Sequence, residues 1–229
     1  MTSGTAIQPR RLDVAPQRFI GWVRSFSDRH GGITASLADD GVTYTGPDGA
    51  VARCVVPFPP LPTTSQAGAE ELAELVAAHA VAERTVGVFL VRLGGYAAGV
   101  FTGSEPVLAA SKVGSRLVHG RSAAGGQSQQ RFARRRENQA HQALAAAADT
   151  AAAVFGPYQL DALVLGGDKR AFAAIRDDPR LAPFFAVAVD AFLTVPDPRL
   201  TVLKDTPRLF RAIKITLTDS ASPATAPSP

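Results

Sequence analysis

The sequence predicts a mixed α/β layer fold (an α+β mixed sheet) in two parts: a small α/β module over residues 11–82 and a larger domain over residues 83–218. Three observations carry this. Short β-branched runs separated by Asp-Gly and Gly-Gly pairs read as strands joined by hairpin turns. The stretch from Ser128 to Phe155 repeats apolar residues every three or four positions, the period of an amphipathic helix. After it, short apolar strands alternate with helical segments, as in helices layered on a sheet.

In the first part, Phe19, Ile20, Trp22, Val23 and Phe26 have helical spacing between Pro16 and His30, and Gly31-Gly32 ends the helix. Strands are expected at Ile33–Leu37, Val42–Thr45 and Val51–Val56, divided by Asp40-Gly41 and Asp48-Gly49. The run Pro57 to Pro62 reads as a stiff connector. Leu72, Leu75, Val76 and His79 then form one stripe of a helix over 70–81. Residues 1–10 and 219–229, rich in Ser, Thr, Ala and Pro, are expected to be disordered.

The second part opens with a meander: strands over Thr85–Leu93, Tyr96–Thr102 and roughly Glu105–His119. A Gly- and Ala-rich loop, Gly120 to Gly126, leads into the long helix, whose core face is Phe132, Ala140, Ala143, Leu144, Ala147, Ala151 and Val154. A strand at Ala162–Leu165, a turn at Gly166-Gly167 and a helix over Lys169–Arg176 follow. Ala186–Thr194 and Ile213–Thr218 are expected to complete the same sheet. Gly166-Gly167-Asp168 after a strand has the look of a phosphate loop, but a lone Gly-Gly turn is more simply structural.

With 46% hydrophobic residues, the chain has apolar material for one or two cores. No apolar run approaches the roughly 20 residues that cross a bilayer, and Met1 to Arg11 lacks a secretory core. These features imply a cytoplasmic protein. The lone Cys54 excludes an internal disulfide and a multi-cysteine metal site. His30, His79 and His141 have no ligand spacing, so neither metal nor cofactor is expected. Trp22 and Cys54 read as core residues.

Charge is more telling. Between Glu105 and Glu137 there is no acidic residue, while Lys112, Arg116, Arg121, Arg131, Arg134, Arg135 and Arg136 are all cationic. Solvated faces normally mix signs, so one-signed clustering points to a polyanion such as RNA.

The chemistry concentrates in His119 to Gln142, HGRSAAGGQSQQRFARRRENQAHQ. Gly125 and Gly126 lack side chains, so the loop can enter a narrow cavity. Gln127 stands immediately before a helix start, whose free N–H groups and partial positive charge favour a developing anion. Arg131, Arg134, Arg135 and Asn138 fall on one helical stripe. No Ser-His-Asp set or carboxylate pair accompanies them. Glutamine is neither acid nor base, but its amide can orient a water while backbone N–H groups steady an oxyanion.

The segment GGQSQQRFARRR resembles the catalytic-domain signature of archaeal and eukaryotic class 1 peptide-chain release factors. His119-Gly120-Arg121 matches the His-Gly-Arg of that family, and Leu163–Gly167 resembles its strand after the long helix. The resemblance covers roughly residues 84–218 and implies a release-factor catalytic-domain fold. Ser122, Ala123 and Ala124 lengthen the loop relative to that pattern. The chain is also short for a full termination factor, and no stop-codon-reading motif appears in its first part. Its layout is more similar to actinobacterial-type release-factor-like proteins, related to the eukaryotic ribosome-quality-control peptidyl-tRNA hydrolase. That resemblance implies codon-independent hydrolysis of peptidyl-tRNA on stalled or split large ribosomal subunits. It makes Gln127 catalytic, with Gly125 and Gly126 shaping the loop and Arg131, Arg134 and Arg135 on RNA. Arg121, Lys112 and Arg116 join that basic surface. Ser128, Gln129, Gln130 and His119 are supporting candidates. Two other readings stay open: cleavage of the tRNA acceptor end at its CCA, and a non-catalytic ribosome- or tRNA-binding module.

Overall fold

The computed structural model describes residues 9–62, 67–92, 95–115 and 128–218, with side chains from Gln139 onward in the last of these. The first elements are β1 (Arg10–Val14), α1 (Pro16–Arg29), β2 (Thr34–Ala38), β3 (Gly41–Thr45), β4 (Val51–Val55) and α2 (Ala69–Val81). The next are β5 (Val86–Arg92), β6 (Gly95–Thr102), β7 (Val107–Ser115), α3 (Ser128–Phe155), β8 (Ala162–Gly167) and α4 (Lys169–Ile175). The chain continues through α5 (Ala182–Phe185), β9 (Ala188–Leu193), α6 (Leu200–Lys204), α7 (Thr206–Phe210) and β10 (Ile213–Thr218). The result is a mixed α/β chain with two five-stranded sheets.

These elements form two compact units. One runs up to Ala82 and resumes at Arg211; the other is Glu83–Phe210. The first sheet has the order β1-β10-β4-β3-β2 and is antiparallel throughout. Helix α1 begins on Pro16, whose fixed φ suits a first helical position, and buries Phe19, Val23 and Phe26. Trp22 stacks on both phenylalanines, with centroids 6.3 Å from Phe19 and 5.4 Å from Phe26. In α2 the Glu71 carboxylate accepts the Gly68 N–H at 2.8 Å, satisfying a donor that the first turn leaves unpaired. Arg24 of α1 pairs with Glu70 of α2.

Two expectations are corrected here. Ile213–Thr218 does not complete the second sheet; β10 lies between β1 and β4 of the first, with Ile215 opposite both Leu12 and Cys54. Alternating burial marks this segment as a strand, but its partner is set by the face it must cover. Ile213, Ile215 and Leu217 fill the cluster around Phe19, Tyr44 and Val76. Likewise Arg10 belongs to β1 rather than to a disordered tail. Residues 1–8 and 219–229 lie outside the described residues.

The second sheet has the order β7-β6-β5-β8-β9. The expected meander is present as antiparallel β5, β6 and β7, and β8 and β9 then add parallel to β5. Crossovers through helices produce those parallel pairings. Helix α3 covers one face through Ala147, Ala148, Ala151 and Phe155. Phe89, 1% exposed, sits edge-on to Phe155 at 6.1 Å and to Phe172 at 5.3 Å. Phe89→Ala is therefore expected to destabilise this unit by about 3–5 kcal/mol; a shift of the urea midpoint with unchanged m-value checks it.

Candidate functional site

Strands β5, β7, β8 and β9 run in one direction, so Arg92, Ser115, Gly167 and Leu193 end along one edge of the second sheet. The candidate loop starts from this edge. Ser115, the last described residue of β7, pairs with Gly95. The chain is next described at Ser128, already the first residue of α3. Arg116, His119, Arg121, Gly125, Gly126 and Gln127 lie between them, outside the described residues. Gln127 thus directly precedes a 28-residue helix.

Ser128, Gln129, Gln130, Arg131, Arg134 and Arg135 belong to the first turns of α3. A 3.6-residue period puts positions 131, 134, 135 and 138 on one stripe, while their side chains, like that of Phe132, lie outside the described set. Farther along, His141 and Gln142 are exposed, Ala140, Ala143 and Leu144 are half-buried, and Ala147, Ala151 and Val154 are buried. The predicted core stripe is present wherever side chains are described. Lys112 is exposed on edge strand β7, opposite Ala98, whose side chain joins the cluster under α3. It therefore lies on the α3 face of the sheet.

Other titratable groups have structural roles. His30 Nδ1 is 2.7 Å from Asp48 Oδ2, and that contact, with the Ala50 N–H, holds the Asp48 carboxyl below its ordinary range. His79 Nε2 contacts the Phe58 carbonyl oxygen at 2.9 Å. Burial pushes the Cys54 thiol up to about 12, which leaves almost no thiolate at neutral pH and makes it a poor nucleophile. Among the described residues, no group of three His, Cys, Asp or Glu could hold a metal ion.

Gly166 and Gly167 continue β8 rather than turning after it, pairing with Leu90 and Val91. Gly167 has φ +106°, and a Cβ there would lie 2.2 Å from the Val91 carbonyl oxygen, so no other residue fits. Asp168 then caps α4, its Oδ1 accepting the Arg170 N–H at 2.9 Å. These glycines serve packing. Arg92, Lys169 and Asp197 meet at the same edge, and sequence reading did not single them out. Their only signal was the Gly-Gly-Asp-Lys run itself.

The second unit thus joins a β-meander to a long helix that starts, in sequence, just after Gly-Gly-Gln. Residues 84–216 match the model of the Actinobacteria/chloroflexi VLRF1 release factor, and the chain belongs to that family. The match spans the second unit and reaches into β10. Among solved structures, the chain is similar to the crystal structure of an archaeal translation termination factor, aRF1. Identity is 11% and the TM-score 0.39, over 88% of this chain and 66% of that one. Another, described as an archaeal protein, shows 14% identity and a TM-score of 0.30, over 89% and 65% respectively. The chain thus spans just under two thirds of the length of each. No curated protein matches it. No helix among the described residues is long and apolar enough to cross a membrane.

Proposed function

We propose that this chain frees nascent peptide from peptidyl-tRNA on stalled or split large ribosomal subunits in the cytoplasm, without reading a codon. One observation carries the reading: in a member of a release-factor family, Gly125-Gly126-Gln127 leads directly into the N-terminus of α3. The two glycines let the loop enter a confined site. The Gln127 amide orients a water toward the ester carbonyl at the terminal adenosine. Backbone N–H groups at the helix start stabilise the oxyanion that forms. The water adds to the carbonyl carbon, the ester C–O bond breaks, and the proton passes to the ribose oxygen that leaves. Arg131, Arg134 and Arg135, with Lys112, Arg116 and Arg121, hold RNA phosphates beside the loop.

The test is release of a labelled peptide from stalled large subunits, followed by sequencing of the tRNA 3′ end. Free peptide with an intact CCA end is the expected outcome. A tRNA shortened at that end would make the protein a nuclease instead. Stable binding without release would make it a non-catalytic module.

The basic stripe has its own expected result. Six phosphate contacts to a single strand give a log–log salt slope of about −4. Replacing Arg131, Arg134 and Arg135 together with alanine should flatten that slope by about 2. RNA binding titrated across a salt series measures it, and an unchanged slope removes these residues from the interface.

A further inference from the structure

Between the ends of β5, β8 and β9 lies a cleft of about 380 Å³, lined by Arg92, Asp168, Lys169, Thr194 and Asp197 among others. Its volume is in the usual range for small-ligand clefts. Its position is also the usual one, because α/β sheets bind ligands outside the carboxyl ends of parallel strands.

The lining carries two cations, Arg92 and Lys169, and two carboxylates, Asp168 and Asp197, and the cations keep hydrogen-bonding capacity that the carboxylates do not occupy. Lys169 Nζ lies 5.4 Å over the Phe192 ring, and no carboxylate pairs with it among the described residues. Arg92 donates from Nη1 to the Val195 carbonyl at 2.7 Å. Its Nε is 3.7 Å from Asp197, too far for a hydrogen bond, so most of the five guanidinium donors stay available. The Asp168 carboxylate is turned onto its own helix, accepting the Arg170 N–H. Asp197, with a side chain 71% exposed, is the more open of the two lining carboxylates, Asp168 being half-buried. Thr194 adds an exposed hydroxyl.

The cleft also adjoins the root of the candidate loop. Ser115 pairs with Gly95 on this edge. A Cβ on Gly95 would lie 3.6 Å from the carbonyl oxygen of Pro198, the residue after Asp197.

We propose that this cleft binds a nucleotide phosphate. Lys169 supplies a point charge, Arg92 a planar set of donors and Thr194 a hydroxyl. The phosphate comes either from an RNA strand or from a free nucleotide. Only the RNA source rests on the function proposed above.

The experiment measures binding of two probes to the full chain, adenosine monophosphate and a short single-stranded RNA, for wild type, Lys169→Ala and Asp197→Asn. Both side chains are exposed, so neither change threatens folding. Lys169→Ala should weaken binding roughly threefold to fivefold and remove about 0.7 from the RNA salt slope. Asp197→Asn should strengthen binding by a similar factor. If only RNA responds, the phosphate belongs to a strand; if both probes respond, the cleft also takes free nucleotides. If neither variant shifts either probe, the proposal is overturned. The two readings fail separately. If both variants shift binding but the wild type releases no peptide, the cleft stands and the release activity falls. Release with no shift does the reverse.

Discussion

Gln127→Ala is expected to lower peptide release at least about 10²-fold while leaving RNA affinity within about twofold. The size follows from the chemistry. Removing one group that stabilises an acyl-transfer transition state typically costs on the order of 10²–10³ in rate, and loss of an oriented water adds to this. Affinity should hold because the proposed contacts with RNA are those of the arginine stripe of α3 and its neighbours, not of the amide. Gln129→Ala and Gln130→Ala are the controls. They stand in the first turn of α3 (Ser128–Phe155), past the point where the helix has begun, and should release at close to the wild-type rate. A Gln127→Ala protein with full activity would end the assignment. A collapse at Gln129 or Gln130 instead would shift the loop register.

Ending the chain after Phe210 is expected to unfold the first unit while the second keeps its structure. Strand β10 is interior to the first sheet, hydrogen-bonded to β1 on one side and β4 on the other. Its loss strips both neighbours of a ladder and leaves β1 with no strand to pair. It also removes the buried side chains of Ile213, Ile215 and Leu217 from the core. At about 1.5–3 kcal/mol for each buried aliphatic side chain, that is roughly 5–9 kcal/mol. A domain's entire stability is about 5–15 kcal/mol. Hydrogen exchange resolved by segment would show it: fast exchange over β2 to β4 and α2, with protection retained in β5, β6 and β8. Uniform protection across both units would contradict the described topology.

Much of this fold was legible because local patterns had local causes. The long helix was read at Ser128 to Phe155 and is found there, since its apolar period and the Gly156-Pro157 stop are written in neighbouring residues. The β2–β3 and β3–β4 hairpins followed from Asp-Gly turns in the same way. What failed was non-local. The alternation of Ile213, Ile215 and Leu217 announces a strand but cannot say which sheet it joins. Strand β1 is five residues long, half exposed and rich in arginine, too weak a pattern to separate from a polar tail. The Gly166-Gly167 pair looked like a turn because glycine breaks most strands, whereas close approach to Val91 demands it within this one. The loop was read as chemistry from residue types in order, and residues 116–127 lie outside the described residues. The cleft at the strand ends was not, because Arg92, Lys169 and Asp197 come from three separate segments that only the parallel pairing brings together.

The position of β10 also sets an order of events during synthesis. Domains generally fold as units, N-terminal first, while the chain emerges from the ribosome. Here the earlier-made unit must wait: β4 and β1 have no strand between them until residues 213–218 have been made, after all of Glu83–Phe210. The later unit can therefore mature first, and the earlier one closes around the returning chain. Until then the apolar face of α1, with Phe19, Val23 and Phe26, lacks the part of its cover that Ile213, Ile215 and Leu217 supply.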